Sequence, residues 1–164
     1  WHKTYDLPVL VTNCSNNFGP YQHPEKLIPS TIIKALSGDR IPIYGNGENI
    51  RDWLYVEDHV KALMEVLKKG ELGRVYNIGG GNELKNIDLV NKICSLLRED
   101  NEAKSYSELI EFVNDRPGHD KRYAIDSTRI QNELGWKPEK SIEDGLKETV
   151  RWYKSNQDWW KNIK

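Results

Sequence analysis

The run "LPVLVTNCS", Leu7 to Ser15, constrains the fold more than any other stretch of the sequence. Its apolar side chains would point to both sides of an extended strand, so neither face can be left in water. Such strands belong to parallel sheets covered on both faces, where ligands gather beyond the carboxyl ends. The preceding "WHKTYD" reads as the tail of a helix and offers no parallel neighbour. The chain therefore reads as the second half of something longer, with an unfinished sheet at its start.

Strand-like and helical patterns alternate through the remainder, which predicts an α/β fold. A helix over "PEKLIPSTIIKALSG" carries Ile28, Ile32, Ile33 and Leu36 on one stripe and is closed by Gly38. "RIPIYG" is extended, "GNGEN" a turn, and "IRDWLYV" a strand. "EDHVKALMEVLKKG" is helical, with acids in its first turn, lysines in its last, and Val60, Leu63, Val66 and Leu67 as its apolar face. "RVYNI" is a strand. Asn86 can cap a helix over "NIDLVNKICSLLRED" that faces Ile87, Val90, Ile93, Cys94 and Leu97 inward. "IEFVN" and "KRYAID" read as strands, "STRIQNELG" as a short helix. The final helix opens on a capping box, Ser141 with Asp144, and buries Ile142, Leu146, Val150 and Tyr153.

Composition removes several classes of function. With 24 basic and 25 acidic residues, the formal net charge is -1, which gives a nucleic-acid backbone nothing to hold. No run approaches the length of a membrane span, and no signal peptide is visible, so a cytoplasmic location is expected. Cys14 and Cys94 read as two buried, reduced thiols. The four histidines show no ligand spacing, so no metal is expected.

The motifs that hint at chemistry each have a plainer explanation. "NIGGGNEL" lies between a strand and a helix, but Leu84 stands where a dinucleotide fingerprint needs its third glycine, so Gly79 to Gly81 read as a turn. There is no Gly-x-Ser-x-Gly elbow. Glu57 and Asp58 suit the start of a helix better than an acid/base pair. Lys26, Arg51 and Arg116 are harder to set aside. All three stand at element ends, and a diphosphate invites more than one cation. Asn16 and Asn17 follow the first strand and fit either turn formation or ligand contact. "NDRPGHDKRYAID" fits a solvated loop as well as a phosphate-holding one.

Taken together, "TNCSNNFGPYQHPEKLIP", "IPIYGNGENIRDWLYVEDH", "YNIGGGNELKNIDLV" and "DRPGHDKRYAID" resemble the dTDP-glucose 4,6-dehydratase family of the extended short-chain dehydrogenase/reductase superfamily. The likeness runs from about Trp1 to Lys164. It implies the carboxyl-terminal part of that NAD(P)-binding, Rossmann-like fold: an incomplete Rossmann sheet ending within residues 1–20, and a small α/β substrate-binding lobe over 21–164. The resemblance assigns Asn16, Lys26, Leu27, Pro42, Ile43, Tyr44, Arg51, Asn86, Arg116 and His119 to the sugar nucleotide. It assigns Asn17 to the nicotinamide end of NAD, and Arg51 and Arg116 to the diphosphate, with Asp115, Pro117 and Gly118 shaping the loop. The partners it implies are dTDP-glucose and an amino-terminal half, in a homodimeric parent. In the family the glycine-rich cofactor loop, the Tyr-x-x-x-Lys pair and the Thr-Asp-Glu group precede the point matched by Trp1. No catalytic residue is therefore expected in this chain, and the chain alone is expected to be inactive. A sister enzyme of UDP- or GDP-sugars, a non-catalytic binding module, and a subunit completed by a separately encoded half are the alternatives.

Overall fold

The computed structural model describes residues 1–99 and 105–163. The first strand, β1 (Val11–Cys14), finds its parallel neighbour later in the chain: it pairs with β5 (Val75–Ile78), in the register Val11 to Val75 through Cys14 to Ile78. Only one face of this two-stranded sheet is covered. Tyr76 and Ile78 are buried with Leu54, Ala62, Val66, Ile130, Leu134 and Trp136, whereas Val11 and Val75 are exposed. The expected double coverage is thus absent among the described residues. Before β1, His2–Tyr5 form one turn of helix, α1, closed by Asp6 in the left-handed region.

The larger core is organised around β4 (Ile50–Tyr55). Parallel strand β2 (Asn16–Phe18) pairs with its second half, while antiparallel β6 (Glu83–Lys85) and parallel β8 (Arg122–Tyr123) pair with its first. Helices α2 (Leu27–Ser37), α4 (Asn86–Glu99) and α6 (Ile142–Ser155) pack over it, burying Ile28, Ile32, Leu89, Ile93, Leu146 and Tyr153. A separate parallel pair, β3 (Ile41–Tyr44) with β7 (Ile110–Val113), lies alongside. Strand parity on β4 divides the two cores: Trp53 enters the larger and Leu54 the smaller.

Several expectations need correction. Asn16 and Asn17 lie in strand β2, not in a turn, because their backbone joins the β4 ladder. Asn86 is the first helical residue of α4, and its Oδ1 has no partner, so it caps nothing. "KRYAID" contributes only the two residues of β8. Helix α3 (Val56–Lys69) turns most of its expected apolar face outward: Val60 is 54% and Leu67 72% exposed, with Leu63 also exposed, and of the four only Val66 is buried. The inward positions are Asp58, Ala62 and Val66. The Asp58 carboxylate accepts the backbone N–H groups of Glu139 and Lys140, which fixes that side of the helix against the chain before α6. At α6 the expected cap is present, Ser141 Oγ accepting from the Asp144 N–H at 3.0 Å, and all four stripe residues are buried. An unforeseen short helix, α7 (Gln157–Lys161), follows it, and α5 (Thr128–Leu134) occupies the expected place. The expected end of α4 at Asp100 lies outside the described residues.

The glycine-rich turn is built for close packing. The buried Asp52 carboxylate accepts from the N–H groups of Gly80 (3.0 Å) and Asn82 (2.8 Å), drawing the turn onto β4. Among the described residues no helix is long and apolar enough to cross a membrane, and no group of three metal-ligating side chains could hold an ion. Both cysteines are free, but only Cys94 is buried; Cys14 is partly exposed. Burial pushes the Cys94 thiol up to about 11, which leaves almost no thiolate near neutral pH. Brief alkylation of the folded chain is therefore expected to label Cys14 and spare Cys94. Mass spectrometry of the digested product reads this, and faster labelling of Cys94 would contradict the packing of α4.

Candidate functional site

A cleft of about 620 Å³ opens where β2, β4, the start of α2, β3, the start of α4 and the loop 114–121 meet. Arg51 is the residue around which it is built. The residue is 8% exposed, and among the described residues its guanidinium donates only to the carbonyl of its neighbour Ile50, at 2.7 Å. Among the described residues no carboxylate pairs with it. A buried cation without a counter-ion is costly, and such a group is kept where an anion completes it. Trp53, two residues on along the same strand, faces the cleft beside it.

Other anion-seeking groups share the cleft. Lys26 stands at the N-cap of α2 and gives the helix no side-chain cap. Leu27 and Ile28 have no intrahelical acceptor for their N–H groups, and Pro29 has none to offer, so the positive end of the helix opens at the cleft wall. The Lys26 ammonium is not free, since Glu25 Oε1 holds it at 2.9 Å. Arg116 reaches the cleft from an exposed loop position. Its backbone N–H donates to Asp115 Oδ1 at 2.9 Å, and the same oxygen is 2.7 Å from His119 Nδ1. The His119 hydrogen bond, then the Arg116 N–H and the nearby Arg116 charge, hold the Asp115 carboxyl below its ordinary range. His119 is thereby fixed, with its ring set edge-on to Tyr44.

Buried polar atoms without partners gather at the same place. They include Asn17 Oδ1, Gln22 Oε1, Trp53 Nε1 and Asn86 Oδ1, and all four residues line the cleft. Asn17 spends its Nδ2 on the Ser15 carbonyl at 3.1 Å and on Cys14 Sγ at 3.4 Å, which leaves only its acceptor unused. Unsatisfied groups concentrated in one cavity indicate a polar ligand more than a packing fault.

All eleven residues singled out from the sequence line this one cleft, brought from six separate segments of chain. Gln22, Glu25, Ser30, Thr31, Ile41 and Trp53 line it too and were missed. Trp53 was within reach of parity from Arg51, as Ile41 was from Ile43. Ser30 lies one turn beyond Leu27 on α2. Gln22 gives no periodic signal at all.

The sequence profile described as GDP-mannose 4,6 dehydratase matches residues 1–149. The dTDP-glucose 4,6-dehydratase of Shigella flexneri is 58% identical over 165 residues, covering 100% of this chain and 46% of its own length. The chain thus spans about half the length of the curated relatives it matches. The crystal structure of dTDP-glucose 4,6-dehydratase from Bacillus anthracis, in complex with NAD, superposes with a TM-score of 0.91 at 52% identity, over 99% of this chain and 50% of that one. UDP-glucose 4-epimerase from Thermotoga maritima, solved with UDP-glucose, gives 0.83 at 30% identity over 95% and 49%. The fold is that of extended short-chain dehydrogenase/reductase dehydratases and epimerases. Matched by that profile over residues 1–149, the chain belongs to the GDP-mannose 4,6 dehydratase family, and the relatives it resembles over its whole length are dTDP-glucose 4,6-dehydratases.

Proposed function

We propose that this chain is the carboxyl-terminal, substrate-binding part of an NAD-dependent dTDP-glucose 4,6-dehydratase, which converts dTDP-glucose to the 4-keto-6-deoxy sugar with loss of water. The observation that carries the reading is Arg51: a buried guanidinium with no carboxylate partner among the described residues, in a cleft it shares with Arg116 and the open end of α2. In this reading Arg51 and Arg116 grip the diphosphate from two sides. Lys26 and Leu27 supply a charge and a helix end, and Lys26 exchanges its Glu25 partner for a ligand oxygen. Pro42, Ile43 and Tyr44 lie along the nucleoside, with His119 held against Tyr44 by Asp115. Asn16 and Asn86 take the remaining polar groups of the sugar nucleotide.

NAD, when bound, would supply the hydride-transfer chemistry for the sugar. Among the described residues the group suited to hold it is Asn17, whose unused, buried Oδ1 matches an amide donor such as a nicotinamide carboxamide. The rest of the cofactor, and the groups that move protons, belong by this reading to a preceding half. The open side of the β1–β5 sheet and the outward stripe of α3 support a covering partner of that kind. Residues 1–20 then end the Rossmann part and 21–164 are mainly substrate lobe. The parent is a homodimer in the same reading, by analogy with the superfamily.

Titration of dTDP, UDP and GDP against the chain tests this. Binding of dTDP in preference to the other two is expected, and equal or absent binding would overturn the assignment. With dTDP-glucose and NAD added, no 4-keto-6-deoxy product is expected from the chain alone. Turnover would show that the catalytic groups lie within these residues after all.

A further inference from the structure

Tyr21 has φ +62°, a left-handed backbone that a bulky side chain rarely adopts. Such a conformation has to be held by surrounding structure. Here the holders are aromatic. The Tyr21 ring lies 4.6 Å from Trp152 and 5.5 Å from Trp159, centroid to centroid, and Trp159 packs on Trp152 in turn. The next residue is tied as well, because Tyr153 Oη donates to the Gln22 carbonyl. Trp160 Nε1 donates to the Tyr153 carbonyl at 2.9 Å, which locks α7 onto α6. The residues that hold this backbone, Trp152, Tyr153, Trp159 and Trp160, all lie beyond residue 149, where the family profile ends.

The result of the clamp is the placement of Gln22. Its Nε2 donates to the Asn17 carbonyl at 2.8 Å, which fixes the orientation of the amide. Gln22 Oε1 is then an acceptor with a set direction, buried, without a partner, in a residue that lines the cleft. An acceptor demands a donor. A diphosphate has none, whereas a hexose has several hydroxyls, and Gln22 is tethered to the strand carrying Asn16 and Asn17.

We propose that Gln22 binds a hydroxyl of the sugar moiety, and that Tyr21, clamped by Trp152 and Trp159, is the positioning residue that sets it. The inference rests on the nucleotide-sugar reading above and adds a sugar-specific contact to it.

The test compares dTDP-glucose with dTDP, each titrated against the chain and followed through the ligand's own NMR signals, which read weak affinities. Gln22→Met keeps the length and loses the acceptor. It is expected to weaken dTDP-glucose about tenfold, the worth of one hydrogen bond, and to leave dTDP within about twofold. Tyr21→Ala should give the same selective loss with Gln22 intact, and Tyr21→Phe, which keeps the ring, should not. Tryptophan fluorescence confirms that each variant is folded. Equal losses for both ligands, or none for either, would overturn the Gln22 assignment while leaving the nucleotide-sugar reading in place. Selective loss in Gln22→Met with none in Tyr21→Ala would overturn the positioning role. Wild-type chain that binds neither ligand would overturn the nucleotide-sugar reading and, with it, this inference.

Discussion

Replacing Gly80 by alanine is expected to cost the chain at least about 4 kcal/mol of stability, a large part of what a domain of this size has. A Cβ there would stand 1.9 Å from the carbonyl oxygen of Trp53, 2.7 Å from its carbonyl carbon and 3.1 Å from the Cα of Leu54. All three are backbone atoms, so no side chain can swing aside. The strand that would have to move is β4, which is paired with β2, β6 and β8 and carries residues of both cores. Moving the turn instead would strip the buried Asp52 carboxylate of the N–H groups of Gly80 and Asn82. The control lies next door. Gly81 has φ +67° and open space around its Cβ position, so Gly81→Ala carries only the left-handed penalty of about 1–2 kcal/mol. Urea denaturation followed by tryptophan fluorescence separates the two. Similar midpoints would mean that β4 yields more readily than its pairing implies. The functional consequence is immediate, since Arg51 and Trp53 reach the cleft from that strand.

How much of this was legible beforehand depended on whether a feature was local. The stripe on α6 and its Ser141 cap are set by neighbours three and four residues apart, and both are present as read. The glycine turn was legible because Leu84 breaks the dinucleotide spacing, although what the glycines do instead, letting the turn meet β4, is a contact between distant residues. The same limit explains α3. Its outward stripe has the stronger helical pattern, and only the pull of the buried Asp58 on the chain at 139–140 shows which side faces in. Asn16 and Asn17 have poor strand propensity, yet the β4 ladder overrides it. Convergence of the cleft residues could not be read from spacing, because they come from six segments. It was reachable only through resemblance. Gln22 was out of reach of both, because its placement depends on aromatic residues some 130 positions later.

Arg51 should show opposite effects on folding and on binding. Its guanidinium is buried and has no acidic partner among the described residues, so removing the charge relieves a desolvation penalty instead of breaking an ion pair. Arg51→Met, which keeps most of the volume, is therefore expected to leave stability unchanged or to raise it. Nucleotide diphosphate binding by the same variant should fall by about 2–5 kcal/mol, as happens when one partner of a buried charge pair is lost. Arg116 is exposed, and its loop is held through its backbone N–H, which a change of side chain leaves in place. Arg116→Ala is therefore expected to leave stability alone and to weaken binding toward the lower end of that range. If both arginines grip one diphosphate, the double variant loses less than the sum of the two single losses. Calorimetric titration with dTDP, alongside denaturation of each variant, reads both quantities. Should Arg51→Met destabilise the chain and leave dTDP binding untouched, its guanidinium would be a structural strut, and the cleft would have lost the charge around which its proposed function is built.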